Sequence, residues 1–232
     1  MSRLKADLHI HSVLSACASL EMSPSKIIKQ AIKKKLDIIA ITDHNSANNC
    51  KVAVEIGKKN GIIVIPGIEV TVLEEFHVVT LFPDFKKAQI LSDILYKKLL
   101  PININEDKMG YQIEVDGDEN IIKFEKKLLN QATIPVDELI TKVNELGGMY
   151  FFAHVDKSYF SVLASLGFIP PVWEECVFEL TKENTGNYKK IIRNSDAHFL
   201  EDIGRRYFFI EAKKNIKSIL KNIKNGVFFY DA

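Results

Sequence analysis

Six histidines are spread over 232 residues, and each falls in or directly after an apolar run. His9 and His11 stand two apart at the end of one run, and His44 follows Ile38–Thr42. His77 lies in the run 76–82, and His154 follows Tyr150–Ala153. Asp196 and His198 repeat the spacing of two behind Ile191-Ile192-Arg193-Asn194-Ser195, and Glu69 follows Val64-Ile65-Pro66-Gly67. On a strand, a spacing of two turns both side chains to one face. Neutral imidazole and carboxylate are ligands for Zn, Mn or Fe. One carboxylate can bridge two ions, and ions about 3.5–4 Å apart can clamp an in-line displacement at phosphorus. A single histidine of this kind is commonly a core residue. Six of them, all at strand ends, point to a metal centre.

For these side chains to meet, the strands must deliver them to one rim. Apolar runs predict strands over 6–10, 37–42, 62–66, 76–82, 149–153, 176–180, 190–195 and 207–211, alternating with helices near 24–35, 47–59, 87–99, 136–146, 158–166 and 215–224. Ser23-Pro24 reads as an N-cap followed by a first-turn proline, and Gly147-Gly148 and Gly226 sit where helices should stop. The alternation predicts a parallel sheet or an α/β barrel, where catalytic side chains project from the C-terminal strand ends. Residues 101–132 break the rhythm. Tyr111–Val115 and Asn120–Phe124, joined around Asp116-Gly117, read as a β-hairpin insertion and a candidate lid.

Composition narrows the classes. Lys+Arg is 31 and Asp+Glu is 30, so the net charge is +1 and no global field recruits nucleic acid or a membrane. No apolar run reaches the length of a membrane span, and the first residues lack the apolar core of a signal peptide. Cys17, Cys50 and Cys176 form no close pair, which argues against a disulfide framework. The expectation is a cytoplasmic protein of one domain, residues 1–232.

The segments Asp7-Leu8-His9-Ile10-His11-Ser12, Ile41-Thr42-Asp43-His44, Pro66-Gly67-Ile68-Glu69, Ala153-His154 and Ser195-Asp196-Ala197-His198, in that order, resemble the PHP (polymerase and histidinol phosphatase) superfamily. The resemblance covers about residues 4–211, weakly through the insertion. It implies an α/β fold, a distorted (β/α)7 barrel of the PHP type carrying the hairpin insertion, and two or three divalent metal ions (Zn, Mn or Fe). It further implies a first metal on His9, His11, Glu69 and Asp196, a second on Glu69, His77 and His154, and a third served by His44 and His198. Asp7 and Asp43 would orient the histidines from behind, as metal-bound imidazoles usually require.

One position departs from the family pattern. Members commonly complete the third site with Asp five residues, or His six residues, beyond the second histidine. Here those positions hold Ala16, which cannot bind metal, and Cys17, whose thiolate prefers Zn or Fe. Cys17 is thus the expected replacement ligand. The expected reaction is hydrolysis of a phosphate ester by metal-activated water, with Asp196 and His198 as catalytic residues. Lys157, Arg193, Arg205 and Arg206 are the cations available for the substrate phosphate. The expected partner is a phosphorylated small molecule, nucleotide-like or a sugar phosphate. A 5′–3′ exonuclease or oligonucleotidase, and a non-catalytic metal-binding module, are the alternatives.

Overall fold

The computed structural model describes residues 1–182 and 188–230. Eight strands form one sheet: β1 (Ser2–Ile10), β2 (Ile38–Ile41), β3 (Ile63–Thr71), β4 (His77–Leu81), β7 (Met149–Phe152), β8 (Val177–Glu179), β9 (Lys190–Ile192) and β10 (Phe208–Ala212). Their order is β10-β1-β2-β3-β4-β7-β8-β9. The segment after β9 closes the sheet on β1, where Ile10 bridges Ala197 and the His11 N–H donates to the Ala197 carbonyl at 2.9 Å. One edge of β1 is therefore shared, by antiparallel β10 along Ser2–Ala6 and by the closing segment above it. The result is a nearly closed, distorted α/β barrel.

The sheet is not uniformly parallel. β4 runs antiparallel to both β3 and β7, whereas β1-β2-β3 and β7-β8-β9 are parallel runs. The cause is local: only a short turn separates Thr71 from His77, and a parallel crossover needs a dozen residues or more. The reversal puts the start of β4, rather than its end, at the rim where β3 finishes. His77 consequently joins that rim as the first residue of its strand.

Side chains divide into two layers. Leu4, Ala6, Leu8, Ile38, Ala40, Val79 and Phe151 fill the barrel interior, together with Ile219 and Ile223 of the last helix (α7, Ile216–Lys224). Ile10, Ile39, Ile41, Val70 and Phe152 pack outward under the surrounding helices α1 (Pro24–Lys33), α2 (Cys50–Asn60), α3 (Phe85–Lys98) and α5 (Val136–Glu145). β1 changes parity between these layers. Its register with β2 passes from Asp7–Ile39 to Ile10–Ile41, three residues against two. This β-bulge sends Ile10 outward and leaves His9 and His11 facing the barrel mouth, a re-aiming typical of bulges near functional sites.

The insertion forms its hairpin as expected, β5 (Ile113–Val115) antiparallel to β6 (Ile121–Phe124), preceded by the short helix α4 (Glu106–Met109). Its hairpin is not among the residues that line the cavity at the barrel mouth, to which the insertion contributes Asn130. Asn49 binds Ile113 and Val115 of β5, Ile113 N–H donates to Val13, and Glu119 takes the hydroxyls of Ser23 and Ser25. The hairpin braces the outside of the loop that carries Cys17. The helix expected over 158–166 is shorter, α6 (Val162–Leu166), because Ser161 caps it through Ala164 N–H and the preceding residues turn sharply. Among the described residues, no helix is long and apolar enough to cross a membrane.

Candidate metal centre

Glu69 is the hub of the site. It stands on β3 two residues beyond Gly67, where a side chain would meet the Thr80 carbonyl at 2.8 Å, so glycine lets β3 and β4 close up beneath the carboxylate. Five imidazoles converge on Glu69, with nitrogens at 3.1 Å (His9), 3.3 Å (His11), 3.2 Å (His44), 3.0 Å (His77) and 3.2 Å (His154). Asp196 Oδ1 lies 3.5 Å from both His9 and His11. Hydrogen-bonded pairs do not satisfy this cluster. His9 Nε2, His11 Nε2, His44 Nδ1, both nitrogens of His77 and His154 Nδ1 are buried without a hydrogen-bond partner. Orphaned buried nitrogens around a carboxylate are what a metal-binding donor set looks like without its ion, since such groups otherwise cost stability.

Three overlapping groups have ligand atoms within 4.8 Å of one another: His9, His11 and Asp196; His44, Glu69 and His77; and His11, Cys17, His44 and His198. The residues present therefore fit divalent metal. The last group contains the expected thiol, with Cys17 Sγ 3.4 Å from His44 Nε2. Cys50 is buried against the Ile41 and Gly67 carbonyls, and Cys176 meets Tyr150, both outside these groups.

The electrostatics follow from crowding. Burial would raise Glu69, but the imidazoles of His77 and His9 outweigh it and hold the carboxyl well below its ordinary range. Burial opposes charge on His11, yet Asp196 and Glu69 push it up to about 9. His198 goes the other way, to about 4, through desolvation and the neighbouring His11. Desolvation, with Glu69 and Asp196 close by, pushes the Cys17 thiol up to about 12. A bound cation would reverse that last direction, because metal coordination favours the thiolate.

The groups behind the donors differ from expectation. Asp7 reaches no imidazole: it accepts the N–H groups of Ser195 (2.9 Å) and Gly204 (2.8 Å) and so ties the closing segment to β1. The bulge explains this, since Asp7 precedes it and faces outward. Asp43 acts at one remove, accepting from Ser15 Oγ (2.7 Å), which sits 3.0 Å from His11 Nδ1. The carboxylate that grips a donor directly is Glu179, at the end of β8. It takes His9 Nδ1 at 2.9 Å, the backbone N–H of His154 at 2.9 Å and Asn194 Nδ2 at 2.8 Å. The sequence carried one signal for it, a carboxylate inside the apolar run 176–180, which must find a partner once buried.

The expected phosphate-binding cations divide. Lys157 and Arg205 line an open cavity of about 420 Å³ above the donors. Lys157 donates to Asp196 Oδ2, and Arg205 to the Ser195 carbonyl and to Asp202. Arg206 is turned onto the Asn194 and Ser195 carbonyls, outside the cavity lining, and Arg193 lies over the Tyr230 ring. Three residues on the cavity wall hold backbone angles that side-chain-bearing residues avoid: His154 (φ 29°), Phe160 (φ 50°) and Asp196 (φ 51°). Such strain concentrates at functional sites.

Comparison with known proteins agrees with this geometry. A lesion-specific endonuclease from Pyrococcus furiosus superposes with a TM-score of 0.70 at 19% identity, over 96% of this chain and 56% of the endonuclease. A two-domain protein from Bacteroides vulgatus, containing a predicted PHP-like metal-dependent phosphoesterase, superposes with a TM-score of 0.58 at 17% identity, over 98% of this chain and 64% of that one. An uncharacterized protein of Methanocaldococcus jannaschii is 35% identical over 80 residues, 31% of this chain and 46% of that protein. The chain thus spans about half the length of these first relatives. The PHP domain family model matches residues 7–229, nearly the whole chain. On that match, and with the donor set the structure assembles, this chain belongs to the PHP domain family.

Proposed function

We propose that this chain, as one PHP domain with an insertion over 101–132, hydrolyses a phosphorylated small molecule at a centre of two or three divalent ions. PHP membership supports a metal-dependent phosphoesterase; the substrate and the residue roles are our reading. The observation that carries it is the Glu69 hub, one carboxylate within reach of five imidazoles, four of which turn on it a buried nitrogen that makes no hydrogen bond.

When bound, divalent ions supply a Lewis acid for phosphorus and an activated water. The chain does the rest. His9, His11, Glu69 and Asp196 would hold one ion, Glu69 with His77 and His154 a neighbouring one, and His11, Cys17, His44 and His198 the outermost. Glu179 fixes the His9 ring so that Nε2 points inward. Lys157 and Arg205 grip phosphate oxygens, and Arg205 offers a planar fork for them. Arg206 holds the backbone on either side of the Asn194–Ser195 bond and so sets the position of Asp196. Asp196 and His198 are the catalytic pair at the reacting face, with Asp196 kept ionised and oriented by the Lys157 and His11 donors around it.

The test is release of phosphate or of nucleoside monophosphate by Mn- and Zn-loaded protein from mononucleotides, nucleoside bisphosphates and 5′-phosphorylated oligonucleotides, with Asp196→Asn as control. Release that the control abolishes is the expected result. Absence of release from every substrate, with metal content confirmed, would leave the non-catalytic metal-binding module. A nuclease is the second reading, favoured by the likeness to the endonuclease; preference for the oligonucleotide would select it.

A further inference from the structure

A row of ring contacts crosses the metal centre. Phe160 stacks on His77 with centroids 4.9 Å apart and planes 9° apart. His77 meets His44 at 5.2 Å, His44 meets His11 at 4.8 Å, and His11 stacks on His198 at 4.2 Å. Phe199 follows His198 in the chain. Aromatic residues therefore stand at both ends of a row of four imidazoles, and both line the same cavity. Tyr159 joins the first end, edge-on to Phe160 at 89°.

These three rings are distinguished by their place. Tyr159 is 63% exposed, Phe160 42% and Phe199 50%, and all three line the cavity above the metal donors. Phe160 also holds a left-handed backbone, fixed by the His77 N–H donating to its carbonyl at 3.2 Å. A bulky residue adopts that conformation at a cost. Here it sets an aromatic face beside a metal donor while leaving much of the residue open to the cavity.

We propose that the site takes a phosphodiester joining two planar-ring units, in chemical terms a dinucleotide. Its phosphate lies over the imidazole row, one ring lies against Tyr159 and Phe160, and the other against Phe199. The inference rests on the phosphoesterase reading and names its substrate. Water adds to phosphorus and the P–O bond to one unit breaks. That oxygen leaves as an alcohol with a proton from the water, and the other unit keeps the phosphate as a monoester. A monoester with one ring would use only one platform. A long strand would need surplus positive charge along its path. The cavity's two cations, Lys157 and Arg205, already face Asp196 and Asp202.

The experiment crosses substrate rings with protein rings. Metal-loaded wild type, Phe199→Leu and Tyr159→Leu are assayed on a dinucleoside monophosphate, on the same diester with one nucleoside replaced by methyl, and on a single-stranded 20-mer. Leucine keeps the apolar volume and removes the π face. In the wild type, loss of one substrate ring should cost about tenfold in kcat/KM, mostly through KM, as expected for base–aromatic stacking. In Phe199→Leu the same loss should cost much less. Equal rates on ringed and ring-poor diesters would overturn the inference and leave the phosphoesterase intact. A preference for the 20-mer beyond tenfold, lost at high salt, would overturn it in favour of a strand. If no ester is cleaved, the phosphoesterase reading fails separately. Saturation transfer from protein to the two bases of the uncleaved dinucleotide then decides the ring contacts: transfer that weakens at one base in Phe199→Leu supports them, and no transfer refutes them.

Discussion

The two halves of the metal centre are built differently. In the deep half, His9 is held from behind by the Glu179 carboxylate, His154 by a backbone bond to that same carboxylate, and every donor converges on Glu69. In the outer half, His11 leans on a serine hydroxyl, His198 on the Asp196 carbonyl, and the fourth donor is a thiol at the open end. The deep half is fixed by charged groups inside the barrel. The outer half hangs on loops after β1, β2 and β9, with neutral groups behind its rings. Such a division would let the first stay fixed while the second changes, and a ligand role for Cys17 would be such a change.

The sharpest way to break this contrast is Glu69→Gln. The amide keeps the shape but removes the charge that balances His9, His77 and their neighbours, and it offers one oxygen where a carboxylate would offer two to bound ions. Activity should fall by about 10³-fold or more, on the scale of losing a central electrostatic group, and metal content should drop by more than one equivalent in elemental analysis. Retention of full metal would mean that the deep half does not depend on Glu69. Glu179→Gln should come next. Outer partners of metal-bound histidines contribute roughly 10- to 100-fold in metal affinity, and this one is buried and supports two donors, so the upper part of that range is expected in competition with a chelator. A loss confined to the outer ion would overturn the division.

The legible part of this site was the part written in rare residue types. Histidines at strand ends, the paired spacings 9/11 and 196/198, and Glu69 after Pro66-Gly67 marked the donors before any coordinates. The hairpin was legible from the turn residues Asp116-Gly117 between two apolar runs, although the loop that forms spans residues 116–120 and puts Glu119, not Gly117, in the left-handed conformation. Strand direction was not, since a strand reads the same apolar pattern either way; only the short loop before His77 hinted at reversal. The bulge in β1 was hidden because hydrophobic Leu8 and Ile10 satisfy an unbroken alternation as well as a broken one, and so Asp7 was placed behind a histidine it does not touch. Glu179 passed as one residue of a core strand. Phe160 was assigned to a helix by its apolar neighbours, although its left-handed backbone depends on a contact with His77, far away in sequence.

Cys17→Ser sharpens the comparison from the outer side. A serine hydroxyl is a poor ligand beside a thiolate, so metal stoichiometry should fall by about one equivalent while the Glu69 sites stay filled. Cobalt-loaded wild type should show a thiolate-to-metal charge-transfer band that the variant lacks. An unchanged stoichiometry and spectrum would make Cys17 a bystander and leave the outer half with three histidines.

Ser15→Ala should have the smallest effect. The hydroxyl joins Asp43 to His11 and also lies 3.3 Å from His44 N, so its loss loosens two outer donors at once. Yet it is neutral, and the Asp43 carboxylate keeps the Ser12 N–H and hydroxyl as partners. A few-fold weakening of the outer ion is expected, below the usual range for a direct carboxylate partner, with no change in the deep half. Metal titration monitored through the cobalt–thiolate band reads that ion alone. A loss as large as that of Glu179→Gln would show that the Asp43–Ser15–His11 chain transmits charge as effectively as a direct contact, and the two halves would then be equally anchored by different means.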